Sequence, residues 1–147
     1  MATRSHAPFA GPSRAANLVL WTIQVLLAAL FLFAGGYKLV VPMAAMTREV
    51  PLPGPFLRFI GVAELAGGLG LILPGLFRTR LVLTPLAAAG LVIIMAGAVG
   101  VTMATAGAAQ AAMPGIVGLL AGAVAAGRWR QRESGSASAS PLALRAA

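Results

Sequence analysis

The chain lacks cysteine and aspartate, and it has only one histidine and three glutamates among its 147 residues. Without cysteine it cannot form disulfides, thiolate metal sites, iron–sulfur ligation or a dithiol relay. The single histidine, His6, lies in a polar N-terminal stretch. One chain therefore has no imidazole with which to hold a haem or a metal inside a helical core, and we expect no metal site and no bound cofactor of these kinds.

Charge of either sign is also scarce, whereas long apolar runs are abundant. Hydrophobic residues make up 59% of the chain, charged residues make up 10%, and the mean hydropathy is +0.91. A membrane-spanning helix needs about 20 predominantly apolar residues. Four runs approach or exceed that length, at about 17–41, 56–73, 81–105 and 110–128.

This pattern predicts an all-α polytopic membrane protein, a four-transmembrane-helix bundle over residues 17–130. We expect residues 1–16 to be a flexible N-terminal arm and residues 131–147 to be a disordered tail, because small and polar residues dominate both. Four prolines between 42 and 55 predict a loop after the first span, in which residues 43–50 have room for one or two amphipathic turns.

The basic residues are distributed unevenly along the chain, whose net charge is +8. The two ends and the connection between the second and third spans carry eight of them, and the opposite side carries three, Lys38, Arg48 and Arg58. The positive-inside rule then predicts both termini in the cytoplasm and a multi-pass protein of the inner (plasma) membrane. The charge therefore indicates orientation in a lipid bilayer, and we expect no nucleic-acid partner.

Glu64 is the only carboxylate inside an apolar run. An ionisable group at that depth costs a few kcal/mol, so it is expected to face inward and to have a partner. Lys38 lies near the end of the first span, and antiparallel packing of the first two spans would bring it to the same half of the bundle as Glu64. Further polar residues predicted to line that end are Arg58, Tyr37, Thr102 and Thr105.

Three interpretations of this constellation remain open at the level of sequence. Lys38 and Glu64 form a structural ion pair that fixes helix register, or they line a small polar pocket for a quinone head group, a small solute or a partner residue. In the third, Glu64 is a proton-coupled transport carboxylate. No nucleophile–base motif, phosphate-binding loop or metalloprotease motif occurs in the chain, so catalytic residues are not predicted.

Small residues at helical spacing predict how the helices approach each other. Gly61 and Gly68 share a face of the second span, and Gly118 and Gly122 share a face of the fourth. Packing within one bundle is the simpler interpretation, with a homo-oligomer as the alternative. Gln24, deep in the first span, is expected to make an interhelical hydrogen bond.

Two segments together resemble the DoxX-like family of small four-helix bacterial membrane proteins. The first is Ala34-Gly35-Gly36-Tyr37-Lys38-Leu39, and the second is Gly61-Val62-Ala63-Glu64-Leu65 followed by Gly68-Leu69-Gly70. The resemblance covers about residues 17–130 and implies a four-helix bundle in which Lys38 and Glu64 occupy the polar positions of the family. It also implies an association with membrane redox chemistry, because the family takes its name from a subunit linked to quinone-dependent sulfur oxidation.

The leading hypothesis is therefore a non-catalytic accessory or anchoring subunit near quinone-linked chemistry, with a membrane oxidoreductase as partner and a quinone contact. The alternatives are a small proton-coupled transporter that uses Glu64, and an assembly factor for other membrane proteins.

Overall fold

The computed structural model describes residues 14–77 and 82–139, which are helical apart from short connections. The helices are α1 (Arg14–Val40), α2 (Met43–Glu49), α3 (Gly54–Leu76), α4 (Leu83–Thr105) and α5 (Ala108–Ala139). All except α2 are long and apolar enough to cross a membrane. In α5 the part that could span the membrane is Ala108–Glu133. At 1.5 Å per residue, the 23 residues of α3 reach about 35 Å, more than the ~30 Å of hydrocarbon in a bilayer. The predicted bundle of four transmembrane helices is confirmed.

The four spans form a ring in which each packs against two others. α1 and α4 lie on opposite sides, and each contacts both α3 and α5. We call the end at which α1 begins the terminal end, and the end at which α1 stops and α3 begins the α2 end. Arg128 of α5 donates a hydrogen bond to Asn17 of α1, so the beginning of the first span and the end of the last lie side by side at the terminal end.

The interior is packed with aliphatic side chains and one aromatic ring, while the outside is more apolar than a soluble surface would be. The buried cluster consists of Leu27, Ala28, Phe31, Leu71, Ala88, Leu91, Met95, Val117, Ala121 and Val124. Large exposed side chains that suit contact with lipid include Leu26, Phe33, Phe59, Ile93 and Leu119. This distribution fits a bundle with hydrocarbon as its solvent.

Helix ends differ from the predicted ones by a few residues. α1 starts at Arg14 rather than at 17, and α3 continues through Pro74 to Leu76 rather than stopping at 73. Pro74 has no backbone donor and its ring crowds the carbonyl group four residues earlier, but the backbone N–H of Phe77 bonds to the carbonyl oxygen of Leu73 and closes the last turn around the proline. α5 runs on to Ala139, so residues 131–139 are helical where a disordered tail was expected. Gln131, Arg132 and Glu133 are good helix formers, and the serines and glycine that follow are not, so the helix continues there against their intrinsic preference.

Some predictions lie outside the described residues. These are the arm over residues 1–13, the tail over 140–147, and the basic connection that contains Arg78 and Arg80. The connection between α4 and α5 is described, and it is shorter than the predicted turn. Gly107 adopts a φ of 92°, a left-handed conformation that glycine accepts without strain, and α5 begins at the next residue.

Candidate functional site

The site begins at the place where α1 and α3 cross most closely. A Cβ atom added to Gly35 would lie 2.6 Å from the carbonyl oxygen of Gly61, and one added to Gly61 would lie 3.1 Å from the carbonyl oxygen of Gly35. Only glycine permits such an approach of two backbones. Lys38 follows the first glycine by three residues, and Glu64 follows the second by three, so each shares the face of the crossing.

Lys38 and Glu64 form a bidentate ion pair across this crossing. The Lys38 Nζ atom lies 2.9 Å from Oε1 and 2.7 Å from Oε2 of Glu64, and Glu64 is only 3% exposed. Because the helices are antiparallel, the two residues are offset along the axis by about 9 Å, six residues at 1.5 Å each. Side chains of a helix lean toward its N-terminus, so Lys38 and Glu64 lean toward each other and close this offset.

Arg58 lies close to the pair but contacts the backbone rather than the carboxylate. Its Nη1 donates to the carbonyl oxygen of Lys38, and its Nη2 donates to that of Val41 at 2.8 Å. The last carbonyls of a helix have no partner within the helix and attract cations. Arg58 therefore caps the C-terminal end of α1 and fixes the backbone from which the Lys38 side chain extends.

The other polar residues predicted for this end divide into two groups. The Tyr37 side chain is 54% exposed and does not line the cavity described below, so the structure does not bring it to Glu64. Thr102 and Thr105 of α4 do reach the same space as the ion pair. The Thr105 hydroxyl donates to the carbonyl oxygen of Val101 at 2.9 Å. The Thr102 hydroxyl has no hydrogen-bond partner among the described residues.

A cavity of about 440 Å³ lies between α3 and α4 at the α2 end, and we call it the α3–α4 cavity. Lys38 and Glu64 are part of its wall, and Val50 and Leu52 border it from the connection after α2. The remaining lining residues come from two helical stretches: Phe56, Leu57, Phe59 and Ile60 of α3, and Ile93, Ile94, Gly97, Ala98, Val101, Thr102 and Thr105 of α4.

The cavity exists because α3 and α4 are close at one end and apart at the other. Toward the terminal end, a Cβ atom at Gly70 would lie 2.6 Å from that of Ala87, and one at Gly67 would lie 2.5 Å from the side chain of Leu91. Toward the α2 end, a Cβ atom at Gly97 meets no atom within 4 Å. The two helices therefore diverge from a tight contact and leave room beside Glu64.

A second polar cluster holds α1, α3 and α5 together toward the terminal end. Gln24 is buried and donates from Nε2 to the carbonyl oxygen of Leu71 at 2.7 Å. This is an interhelical hydrogen bond, as predicted for Gln24. Its Oε1 accepts from Nε of Arg128 at 2.6 Å, and the Arg128 guanidinium lies 5.4 Å from the centre of the Trp21 ring. This cluster ties three spans together.

The four glycines predicted to mediate packing do so to different degrees. Gly61 and Gly68 face backbone atoms of α1, with Cβ positions 3.1 Å and 3.2 Å from carbonyl oxygens. A Cβ atom at Gly118 would lie 3.1 Å from that of Met95 in α4. Gly122 lies at an ordinary contact distance from α4, 3.9 Å from a methyl group of Val92, so it is not needed for a close approach.

Sequence reasoning missed most of the cavity wall. Its members are apolar, and an apolar residue that borders a cavity has the same sequence signature as one that faces lipid. Gly97 gives no distinctive signal either, because Gly90 and Gly100 on the same helix also have open space at the Cβ position. Within the described residues, no group of three or more His, Cys, Asp or Glu side chains is placed to hold a metal ion.

The fold and the site define a small multi-pass membrane protein of four spans, in which a buried glutamate and a partly buried lysine form an ion pair that joins the first two spans. The chain belongs to the DoxX-like family: the sequence pattern that defines this family matches residues 22–124, which include Lys38, Glu64 and Thr102. No functionally curated protein matches the chain, and no solved structure does.

Proposed function

We propose that this DoxX-like protein is a non-catalytic accessory or anchoring subunit of a membrane oxidoreductase that works with quinones. The observation that carries the proposal is the ion pair of the buried Glu64 with the partly buried Lys38 in the wall of the α3–α4 cavity. A polar feature at this depth is costly and is usually retained for function. In this position it offers hydrogen-bonding groups to a molecule in an otherwise apolar space.

The state of the two charged groups supports binding rather than catalysis by this chain alone. The ammonium of Lys38 donates to both oxygens of Glu64, so neither group is a free nucleophile or general base in this arrangement. The redox chemistry itself then belongs to the partner, and the quinone contact is the contribution of this chain.

Purification from native membranes in mild detergent tests the subunit role. An affinity-tagged chain is expected to recover a stoichiometric oxidoreductase, and the complex is expected to transfer electrons from the reducing substrate of that enzyme to an added short-chain quinone. Glu64→Gln should lower that rate. Glu133→Gln should not, because Glu133 is an exposed carboxylate on α5 that does not line the cavity. Recovery of the chain alone, or only of varied unassembled membrane proteins, would contradict the proposal, and the second result would favour an assembly factor.

A small proton-coupled transporter is the second candidate, and the burial of Glu64 beside a cavity favours it. Purified protein in liposomes with an imposed pH gradient provides the test. Solute flux that follows the gradient and disappears in Glu64→Gln would support transport. Flux equal to that of empty liposomes would exclude it for the solutes tried.

The proposal includes an inner-membrane location with both termini in the cytoplasm, as the basic residues predict. The absence of native cysteine allows a direct test with single cysteines. Ser5→Cys and Ser140→Cys should react with an impermeant maleimide only after the membrane is opened, and Thr47→Cys in α2 should react from outside. The opposite labelling pattern would reverse the orientation.

A further inference from the structure

We propose that the α3–α4 cavity binds one uncharged amphiphile from the bilayer, whose carbonyl or hydroxyl head group is held by Lys38 and Thr102. This inference deepens the proposed function, on which it rests, by naming the ligand class of the cavity and the residues that select it. Four features of the structure carry it: the access route, the free hydrogen-bonding groups, the charge of the site and the size of the cavity.

The rim of the cavity faces the bilayer. Ile93 and Phe59 belong to its lining, yet they are 74% and 66% exposed on the outer surface of α4 and α3. Within the part of the chain that the structure describes, the lining contains no residue of α5, and α1 contributes only Lys38. The opening therefore lies in the gap between α3 and α4, where a lipid-soluble molecule can move sideways into the protein without crossing water.

Polar groups inside the cavity have unused hydrogen-bonding capacity. An ammonium group has three donors, and Lys38 uses two of them on Glu64. Thr102 keeps both its donor and its acceptor, because its hydroxyl has no partner among the described residues, whereas the hydroxyl of Thr105 is engaged with Val101. A head group with hydrogen-bond acceptors, such as a ring that carries carbonyl oxygens, matches these donors, because Lys38 and Thr102 both line the cavity.

The charge of the site selects an uncharged ligand. Among the residues that line the cavity, the charged side chains are Lys38 and Glu64, which neutralise each other, while Arg58 lies outside the lining with its guanidinium bonded to carbonyl oxygens of α1. The lining therefore has no net charge with which to offset the burial of an ion in an apolar space. An anionic head group would compete with Glu64 for Lys38 and would leave a carboxylate buried alone. The apolar side chains of the two long walls suit a hydrocarbon tail.

The volume fits a head group with part of its tail. Small-molecule sites usually occupy about 300–1,000 Å³, and about 440 Å³ lies in the lower part of that range. A substituted six-membered ring with a short stretch of alkyl chain fills such a space, and the rest of the tail would remain among the lipids beyond Ile93.

Photolabelling of the purified full chain in phosphatidylcholine nanodiscs tests this inference. The probe is a benzoquinone with a decyl tail that carries a diazirine, and labelled positions are mapped by mass spectrometry. Label is expected on residues 56–64 of α3 and 93–105 of α4, and excess unlabelled decyl benzoquinone should prevent it. Label spread over all lipid-facing helices, with no competition, would overturn the proposal.

Two pairs of variants separate cavity binding from partition into lipid. Gly97→Leu fills the cavity, whereas Gly90→Leu adds the same side chain to the same helix outside the cavity, where a Cβ atom also meets nothing within 4 Å. We expect about tenfold less specific labelling in the first and little change in the second. Equal labelling of both, with unchanged helicity and elution volume, would refute the cavity as the site.

The second pair tests the head-group contact. Thr102→Val removes the free hydroxyl, and Thr22→Val removes a hydroxyl on α1 that is engaged with the carbonyl oxygen of Leu18 and does not line the cavity. The loss of one hydrogen bond predicts about fivefold weaker competition by decyl benzoquinone for Thr102→Val and no comparable change for Thr22→Val. If a diazirine-bearing alkane labels the cavity as strongly as the quinone probe and Thr102→Val has no effect, the occupant is an acyl chain and the proposal is wrong.

The outcomes for the cavity and for the subunit role are distinguishable. Labelling uses the purified chain and needs no partner, while co-purification needs no knowledge of the cavity. Specific labelling of a chain that recovers no oxidoreductase would leave the cavity assignment intact and refute the proposed function. An oxidoreductase partner without specific labelling would refute the cavity assignment and leave an anchoring subunit that has no quinone contact of its own.

Discussion

Breaking the Lys38–Glu64 pair from either side should cost more stability than removing both charges together. Lys38→Met leaves a carboxylate buried at 3% exposure without its two hydrogen bonds, which is expected to cost about 3–5 kcal/mol. Glu64→Gln keeps one acceptor for the lysine but removes the opposite charge, for a loss of about 2–3 kcal/mol. The double variant buries no charge, so its loss should be about 1–2 kcal/mol, mainly from the unpaired amide.

Reversible unfolding in mixed micelles measures these differences, with helicity followed by circular dichroism as the denaturing detergent is increased. Glu133→Gln is the matched control. It makes the same chemical change on an exposed carboxylate that accepts one hydrogen bond, at 3.0 Å from Trp129 Nε1. Its effect on the free energy of unfolding should stay within about 0.5 kcal/mol, as is usual at a surface position.

The double-mutant cycle decides whether the reasoning holds. A double variant that is more stable than either single variant, with a coupling energy of at least ~2 kcal/mol, would confirm that the two side chains act as a pair. Losses that add within about 0.5 kcal/mol would show that they act independently, and the ion pair would then not be a stabilising element of the folded protein.

Two further predictions concern packing. Gly35→Ala should destabilise the bundle by about 1–3 kcal/mol, because its Cβ atom would meet the carbonyl oxygen of Gly61. Gly36→Ala, where a Cβ atom meets nothing within 4 Å, should be neutral or stabilising in the same unfolding measurement; equal losses in both would exclude the close crossing. Arg128→Met should lower the free energy of unfolding by about 1–3 kcal/mol, because the bond to Gln24 is lost. Arg132→Met removes only a contact with the exposed Trp129 ring and should lower it by less than about 1 kcal/mol. A larger loss in the second arginine variant would contradict the role given to the polar cluster.

The number and approximate place of the spans could be predicted because they depend on local properties. A helix in hydrocarbon satisfies its own backbone, so about 20 apolar residues in a row are sufficient to specify one. The ends were less predictable. The second span was predicted to end at 73, yet α3 continues through Pro74 to Leu76, because the bond from the Phe77 N–H to the Leu73 carbonyl oxygen closes the turn around the proline.

The partnership of Lys38 and Glu64 could also be anticipated, since a buried charge needs an opposite one and only a few candidates exist. The role of Arg58 could not. In the sequence it is a third charge near the same end, and only the close crossing of α1 and α3 reveals that it reaches the last carbonyl groups of α1 rather than the carboxylate. Tyr37 was also predicted to line this end, but its side chain is exposed and does not line the cavity.

The sequence by itself determined that this protein is a four-span helical bundle of the membrane with one buried acid, because span length, apolarity and the cost of an unpaired charge are properties of single segments. Only the tertiary structure decided that α3 and α4 meet closely near Gly70 and diverge toward Thr102. A cavity depends on the angle and distance between two helices, and these follow from the packing of side chains that are far apart in the chain.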